Sequence, residues 1–308
     1  MNEQEEVFKV GFVAVIGRPN VGKSTLINAM LGQKIAAVSP KPQTTRRIQL
    51  GIYTDEQVQI IFMDTPGIHK PIHKLGEFMN KSAVETLEDA DLLLWLVDAS
   101  VNPTEEDKIV SSRLKALKGS PTVLLALNKI DLIPADILDK RQVDYLRLYE
   151  DAEPLRMSAA VGLGIDHLIE RMTALLPEGA PFYDEDQVTD MYERDIAAEL
   201  IREAALLHLR DEIPHAIAVR IDEFQERSET NAYIGATILV ERDSQKGIVI
   251  GKGGEMLKQI GSTARSSIEE MSGRKIFLEL RVKVNKNWRD DPFVLGLLGY
   301  ATDKKKKK

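Results

Sequence analysis

Val10-Gly11-Phe12-Val13-Ala14-Val15-Ile16 runs directly into Gly17-Arg18-Pro19-Asn20-Val21-Gly22-Lys23-Ser24. The first seven residues read as a buried strand. The next eight fit the pattern of a glycine, four residues and Gly-Lys-Ser that turns a strand into a helix. Glycines at 17 and 22 let backbone N–H groups turn inward on nucleotide phosphates, Lys23 supplies a point charge, and Ser24 can hold Mg²⁺ where the helix opens, with Thr25 beside it. That helix is expected over 24–31, stopping at Gly32.

Three further segments follow in order. Asp64-Thr65-Pro66-Gly67 ends the apolar run 58–63, at the carboxyl end of a strand where ligands of open α/β sheets collect. Asp64 can reach Mg²⁺ through water and Gly67 can approach a γ-phosphate by its amide, with Ile68 next in the chain. Asn128-Lys129-Ile130-Asp131 ends the apolar run 122–127. Asn128 and Lys129 can brace base and loop, while the Asp131 carboxylate can accept two hydrogen bonds from guanine N–H groups, a pattern adenine does not offer. Ser158-Ala159-Ala160 completes the set. The ordered four point to GTP or GDP as ligand. Strand-like runs at 10–16, 58–63, 92–98, 122–128 and 154–158 alternate with helical stretches, which predicts a doubly wound α/β domain with a mostly parallel sheet. Thr104 reads as the N-cap of a covering helix, and a last helix is expected over 162–176.

With Pro19-Asn20 and Pro42-Gln43-Thr44-Thr45-Arg46, these residues resemble the Era branch of the translation-factor-like GTPases. The resemblance implies a nucleotide switch. Thr45, with Thr44 as the neighbouring alternative, would be the Mg²⁺ ligand of the first switch, and the second switch would begin at Asp64. Lys23, Thr45, Gly67 and Asn20 would carry catalysis. Where Ras-type GTPases place a glutamine that orients the attacking water, this chain has Ile68, which cannot hydrogen-bond water, so isolated hydrolysis should be slow. Similar GTPases recruit K⁺ beside the phosphates through the asparagine of the phosphate loop. Here Asn20 either ligates K⁺ in that way or satisfies hydrogen bonds of its own loop.

The 308 residues suit two domains, and 43% hydrophobic residues suffice for two ordinary cores. The chain has no cysteine, so disulfides, thiolate nucleophiles and thiolate zinc sites are excluded. His69 and His73 flank Pro71 in a loop and read as polar loop residues. Neither a membrane-spanning stretch nor a signal sequence is evident, which leads to the expectation of a cytosolic protein. The net charge of −7 argues against nucleic acid when taken whole, but 246–289 holds roughly ten basic residues against about four acidic ones.

Pro177 to Pro181 breaks regular structure and an acidic stretch follows. The expected organisation is a GTPase domain over 1–178, a linker over 179–195, a second domain over 196–301 and a basic tail over 302–308. Within the second domain come a helix over 196–209, strands at 216–224 and 233–241, then Gly251-Lys252-Gly253-Gly254, and a helix with one apolar stripe of Met256, Leu257, Ile260, Ala264, Ile268 and Met271. A closing strand spans 276–284. This order resembles a type II KH domain, an α+β RNA-binding fold whose glycine turn clamps a backbone of four nucleotides, and Lys246, Lys252, Lys258 and Arg265 stand near that turn. The family resemblance implies the 3′ end of 16S ribosomal RNA and the small ribosomal subunit as partners, and peripheral contact with the inner face of the cell membrane. No obligate protein partner is evident. Relatives in transfer-RNA modification or large-subunit assembly carry a second GTPase domain or a helical insertion, which this chain lacks. A third reading, an RNA-binding or membrane adaptor that hydrolyses nothing, conflicts with the intact chemical residues of all four segments.

Overall fold

The computed structural model describes residues 7–39, 41, 44–67, 73–119 and 121–300. These fall into two compact units, one within residues 1–33, 45–70 and 79–190, the other within 34–44, 71–78 and 191–308.

The first unit is built from β1 (Lys9–Ile16), α1 (Lys23–Leu31), β2 (Gln49–Thr54), β3 (Val58–Asp64), α2 (Lys74–Glu88, whose first turns fall in the second unit), β4 (Leu92–Asp98), α3 (Glu105–Lys115), β5 (Val123–Asn128), α4 (Ala135–Leu146), β6 (Glu153–Arg156) and α5 (Ile165–Leu175). The sheet order is β2-β3-β1-β4-β5-β6, parallel throughout except for β2 against β3. Every residue of β3, β4 and β5 is buried, so these strands have no solvent face and read as continuous apolar runs. Each Leu or Ile so buried stabilises the unit by about 1.5–3 kcal/mol, which is why the central strands were legible and the edge was not. β2 is that edge, with half-buried Leu50, Tyr53 and Thr54 among its six residues. Thr104 closes a capping box with Asp107 at the start of α3, and Gly32 ends α1 at φ 66°.

Residues 177–190, expected largely as linker, lie on the first unit as a strap. Gly179 N donates to Phe8 O, Phe182 stacks on Phe12 with ring centroids 5.6 Å apart, and the Gln59 amide grips the backbone of Phe182 and Tyr183. Ile52 N donates to Val188 O at 2.9 Å, so the strap satisfies the outer edge of β2.

The second unit contains α6 (Glu193–His208), β7 (Ala218–Ser228), β8 (Asn231–Val240), α7 (Asp243–Ile250), α8 (Glu255–Ser272), β9 (Lys275–Val284) and α9 (Pro292–Leu297). β8 is central, antiparallel to β7 and parallel to β9. Its alternate residues Ala232, Ile234, Ala236 and Ile238 share one core with Leu200 and Ala204 of α6 and with Ile260, Ala264 and Ile268 of α8. Of the apolar stripe expected on α8, only those last three are buried; Met256, Leu257 and Met271 stay partly exposed.

Candidate nucleotide site and nucleic-acid groove

The loop after β1 is fixed by sterics more than by flexibility. A Cβ on Gly17 would lie 2.3 Å from Leu96 O, and one on Gly22, whose φ is +105°, would lie 2.4 Å from Asn128 Nδ2. Only glycine fits either place. A Cβ on Gly67 would meet Pro19 at 2.9 Å, so the loop that follows β3 lies against the phosphate loop.

Lys23 is buried, and its Nζ donates to the carbonyls of Gly17 (3.1 Å) and Arg18 (3.2 Å). Burial lowers its pKa to about 8, partly offset by the negative charge of Asp64. An ammonium held this way gains from a polyanion, which restores the charge that burial penalises.

Three oxygens converge next to it. Ser24 Oγ lies 2.8 Å and Thr45 Oγ1 3.0 Å from Asp64 Oδ2, and the two hydroxyls are 3.0 Å apart. Burial pushes the Asp64 carboxyl upward against the pull of Lys23, and its other oxygen, Oδ1, is buried with no hydrogen-bond partner. A hard cation with oxygen ligands fits this set, since it would use the orphaned lone pairs and favour the ionised carboxylate. Of the two neighbouring threonines, it is Thr45 that joins the cluster. Thr44 instead turns its hydroxyl to Lys41 O at 2.7 Å.

Asn128, 2% exposed, spans two loops: Nδ2 donates to Val21 O at 2.8 Å and Oδ1 accepts from Ala159 N at 2.9 Å. Lys129 adopts φ 66° and sends Nζ to Asn20 O (2.9 Å) and to Asp98 Oδ2 (2.6 Å). Asn20 itself has φ 65°. Asp131 is exposed on the 3₁₀ turn that follows, Ser158 is buried, and Ala160 faces solvent. Thr65 Oγ1 is spent on Val15 O, Pro66 is buried beside it, and Thr25 is half-buried on α1. The Arg18 guanidinium reaches Asp107 at 3.3 Å and Asp98 at 3.7 Å. Ile68, Pro42 and Gln43 lie outside the described residues.

Sequence reasoning missed Asp98. Burial alone would raise its carboxyl, yet hydrogen bonds from Lys129 and Ser100 hold it below the usual carboxylate range, and it joins Arg18 of the phosphate loop to Lys129 of the base segment. An aspartate at the end of β4 was the only signal for it.

In the second unit Gly251, Gly253 and Gly254 all take positive φ (74°, 63° and 83°), and no atom lies within 4 Å of a Cβ built on Gly253. The turn is therefore open on its outer side. Behind it, a concavity of about 420 Å³ runs between α8 and β9, lined by Gly254 of the turn, by Leu257, Lys258, Gly261 and Arg265 on the helix and by Leu278 and Leu280 on the strand. Lys258 and Arg265 thus edge an apolar floor, Lys252 stands exposed on the turn, and Lys246 sits apart on α7. Gly261, Leu278 and Leu280 were not foreseen, because a groove wall shared by a helix and a strand has no local signature.

A phosphate loop, an oxygen cluster suited to Mg²⁺ and a base-side Asn-Lys-x-Asp turn on a parallel sheet define a P-loop GTPase, here followed by a KH domain. Comparison with known proteins agrees. Residues 12–129 match the family described as 50S ribosome-binding GTPase, and 212–289 match the KH domain family. GTPase Era of Ruminiclostridium cellulolyticum is 48% identical over 297 residues, covering 96% of this chain and 99% of that protein. Two solved structures cover 96% of this chain and 100% of theirs: Era in complex with MgGDPNP and nucleotides 1506–1542 of 16S ribosomal RNA (39% identity, TM-score 0.91), and a substituted Aquifex aeolicus Era bound to GDP·AlF4⁻ (40%, 0.90). The chain belongs to the Era family of GTPases.

Proposed function

We propose that this chain is a GTP-driven switch that binds the 3′ end of 16S ribosomal RNA in the groove between α8 and β9 and times a step of small-subunit maturation. The observation that carries the reading is the open glycine turn at the head of a basic-edged apolar groove, on the same chain as a complete GTPase site. The small subunit is favoured over the large one because a relative similar over its whole length was solved with a 16S fragment.

In this reading the backbone N–H groups of the phosphate loop from Gly17 to Ser24, Pro19 excepted, with Thr25, cradle the phosphates. Ser24 and Thr45, with Asp64 through water, would hold Mg²⁺, which supplies charge neutralisation at the β- and γ-oxygens. Lys23 and the Gly67 amide stabilise charge on the transferring phosphoryl group. Asp131 reads guanine, while Asn128, Lys129 and the 158–160 loop keep the base side aligned with the phosphate side. Arg18 acts as a brace through Asp98 and Asp107. Asn20 would hold a K⁺, which would supply charge in place of an arginine finger. Asn20 takes a left-handed backbone and its carbonyl accepts from Lys129 Nζ, which fixes the loop that carries its side chain.

We place the protein in the cytoplasm with peripheral contact to the inner face of the membrane through the lysine run 304–308, which lies outside the described residues. Among the described residues no helix is long and apolar enough to cross a membrane.

The test of the RNA reading uses the full chain and a single-stranded RNA matching the 3′ end of 16S ribosomal RNA. Lys252→Asp with Gly253→Asp puts two carboxylates where phosphates must pass. Binding should be lost while the domain stays folded, with a melt lowered only by the roughly 1–2 kcal/mol that a non-glycine residue costs at the φ of 63° of Gly253, and wild-type affinity should fall steeply with salt. Retained affinity in the double variant would move the RNA elsewhere.

A further inference from the structure

The three-stranded sheet has a second face. Ile276 and Val282 of β9 turn toward the helices, so Phe277 and Arg281 point the other way, as does Tyr233 between Ala232 and Ile234 on β8. Tyr233 and Phe277 are register partners, and their rings stack with centroids 5.8 Å apart at an interplanar angle of 22°. The Arg227 guanidinium carbon lies 4.9 Å from the Tyr233 centroid and 6.0 Å from that of Phe277. Phe277 is 63% exposed, a large apolar ring facing water. Tyr233 is fixed by a hydrogen bond from its hydroxyl to Glu279 at 2.9 Å, and the Glu279 charge is offset by Arg281 at 2.6 Å.

Beside the rings is a concavity of about 460 Å³, lined by Phe277, Ala232 and Ile276 with Arg227, Lys275, Ser228 and Asn231. Its charged lining is entirely basic. Its position follows from the chain path: α8 ends at Ser272, a turn at Gly273 reverses direction, and β9 begins at Lys275, so this hollow sits at the end of β9 away from the Gly251 to Gly254 turn. β9 is an edge strand that sends Leu278 and Leu280 into the groove and Phe277 to the opposite face.

We propose that Phe277, backed by Tyr233 and Arg227, is a stacking platform for a base of the single-stranded RNA that leaves the groove round the β9 edge, with Arg227 and Lys275 meeting the phosphates on either side of it. This rests on the RNA reading of the groove. A flat aromatic surface between two cations suits a nucleotide, because every base has a π-face and each step along the strand brings a phosphate. A peptide strand added to the same edge would instead need side-chain pockets repeated along β9, whereas this hollow lies at one end of the strand with two cations in its lining.

Fluorescence anisotropy on the full chain tests the idea with three RNA probes: a four-nucleotide core matched to the groove, the core extended by two nucleotides at either end, and the extended RNA with abasic sites in the added positions. Extension at one end should tighten binding by roughly 5–30-fold over the core, and the abasic form should recover only the smaller, salt-sensitive part of that gain. Phe277→Ala should erase the base-dependent gain and Phe277→Trp should keep it, with core affinity and GTP hydrolysis as in the parent. A 2-aminopurine in the added position should be quenched by the parent and by Phe277→Trp only. An abasic extension as strong as the intact one, or a gain that survives Phe277→Ala, overturns the platform. Core binding with no gain from either extension also overturns it and leaves the groove reading intact, whereas failure of the parent to bind the core overturns both.

Discussion

Replacing Asn128 by alanine tests how the two halves of the nucleotide site are joined. Its side chain gives one hydrogen bond to the Val21 carbonyl at 2.8 Å and takes one from the Ala159 amide at 2.9 Å. Val21 is fully buried and Ala159 is 5% exposed, so truncation strands two polar backbone groups out of reach of solvent. Each such group costs about 1–3 kcal/mol, which puts Asn128→Ala at about 2–6 kcal/mol. For a unit of this size that is a fall in melting temperature of roughly 4–24 °C. Calorimetry of the nucleotide-free chain measures it, following the transition that added GDP raises, since a ligand stabilises the unit that binds it. Asn128→Asp sharpens the test. The introduced carboxyl can still accept from Ala159 N, but when ionised it opposes the Val21 carbonyl, so it should destabilise at pH 7. Its folded-state pKa should rise above the unfolded value of about 3.9, so stability should return as pH falls through that raised pKa, where the protonated group can donate to Val21 O. A loss below about 1 kcal/mol in Asn128→Ala, or a pH-independent deficit in Asn128→Asp, would refute the two-loop brace.

Two further outcomes follow from the same site. Asp131→Asn should weaken GTP by about tenfold or more and favour xanthosine triphosphate, whose base presents the complementary group, and isothermal titration with both nucleotides checks this. Exchanging K⁺ for Na⁺ at constant ionic strength should slow hydrolysis in the parent but not in Asn20→Ala, with GDP affinity nearly unchanged; equal parental rates in the two salts would remove the potassium role.

What was legible in the sequence was local. The phosphate loop needs glycine where φ reaches +105°, the start of α3 needs Thr104 and Asp107 three residues apart, and buried parallel strands need unbroken apolar runs, as in 92–98. Each requirement is met within one turn or one strand, so a few adjacent residues encode it. The glycines of the 251–254 turn belong to the same class.

Tertiary structure decided whatever depends on register between distant segments. β2 pairs where it does because β3 offers it an edge and the strap at Val188 satisfies its other side. Arg18 sits in a nucleotide-binding motif, yet its charge goes to Asp98 and Asp107, which are 80 and 89 positions away along the chain and adjacent only once β4 and α3 are packed. Thr45 and Thr44 are indistinguishable as sequence, and only the approach of Ser24 and Asp64 separates them. Leu278 and Phe277 are neighbours that the period of a strand sends to opposite faces, one into the groove and one to the aromatic platform. Chain-local chemistry names the ligand classes; the packing of strands and helices chooses which side chains reach them.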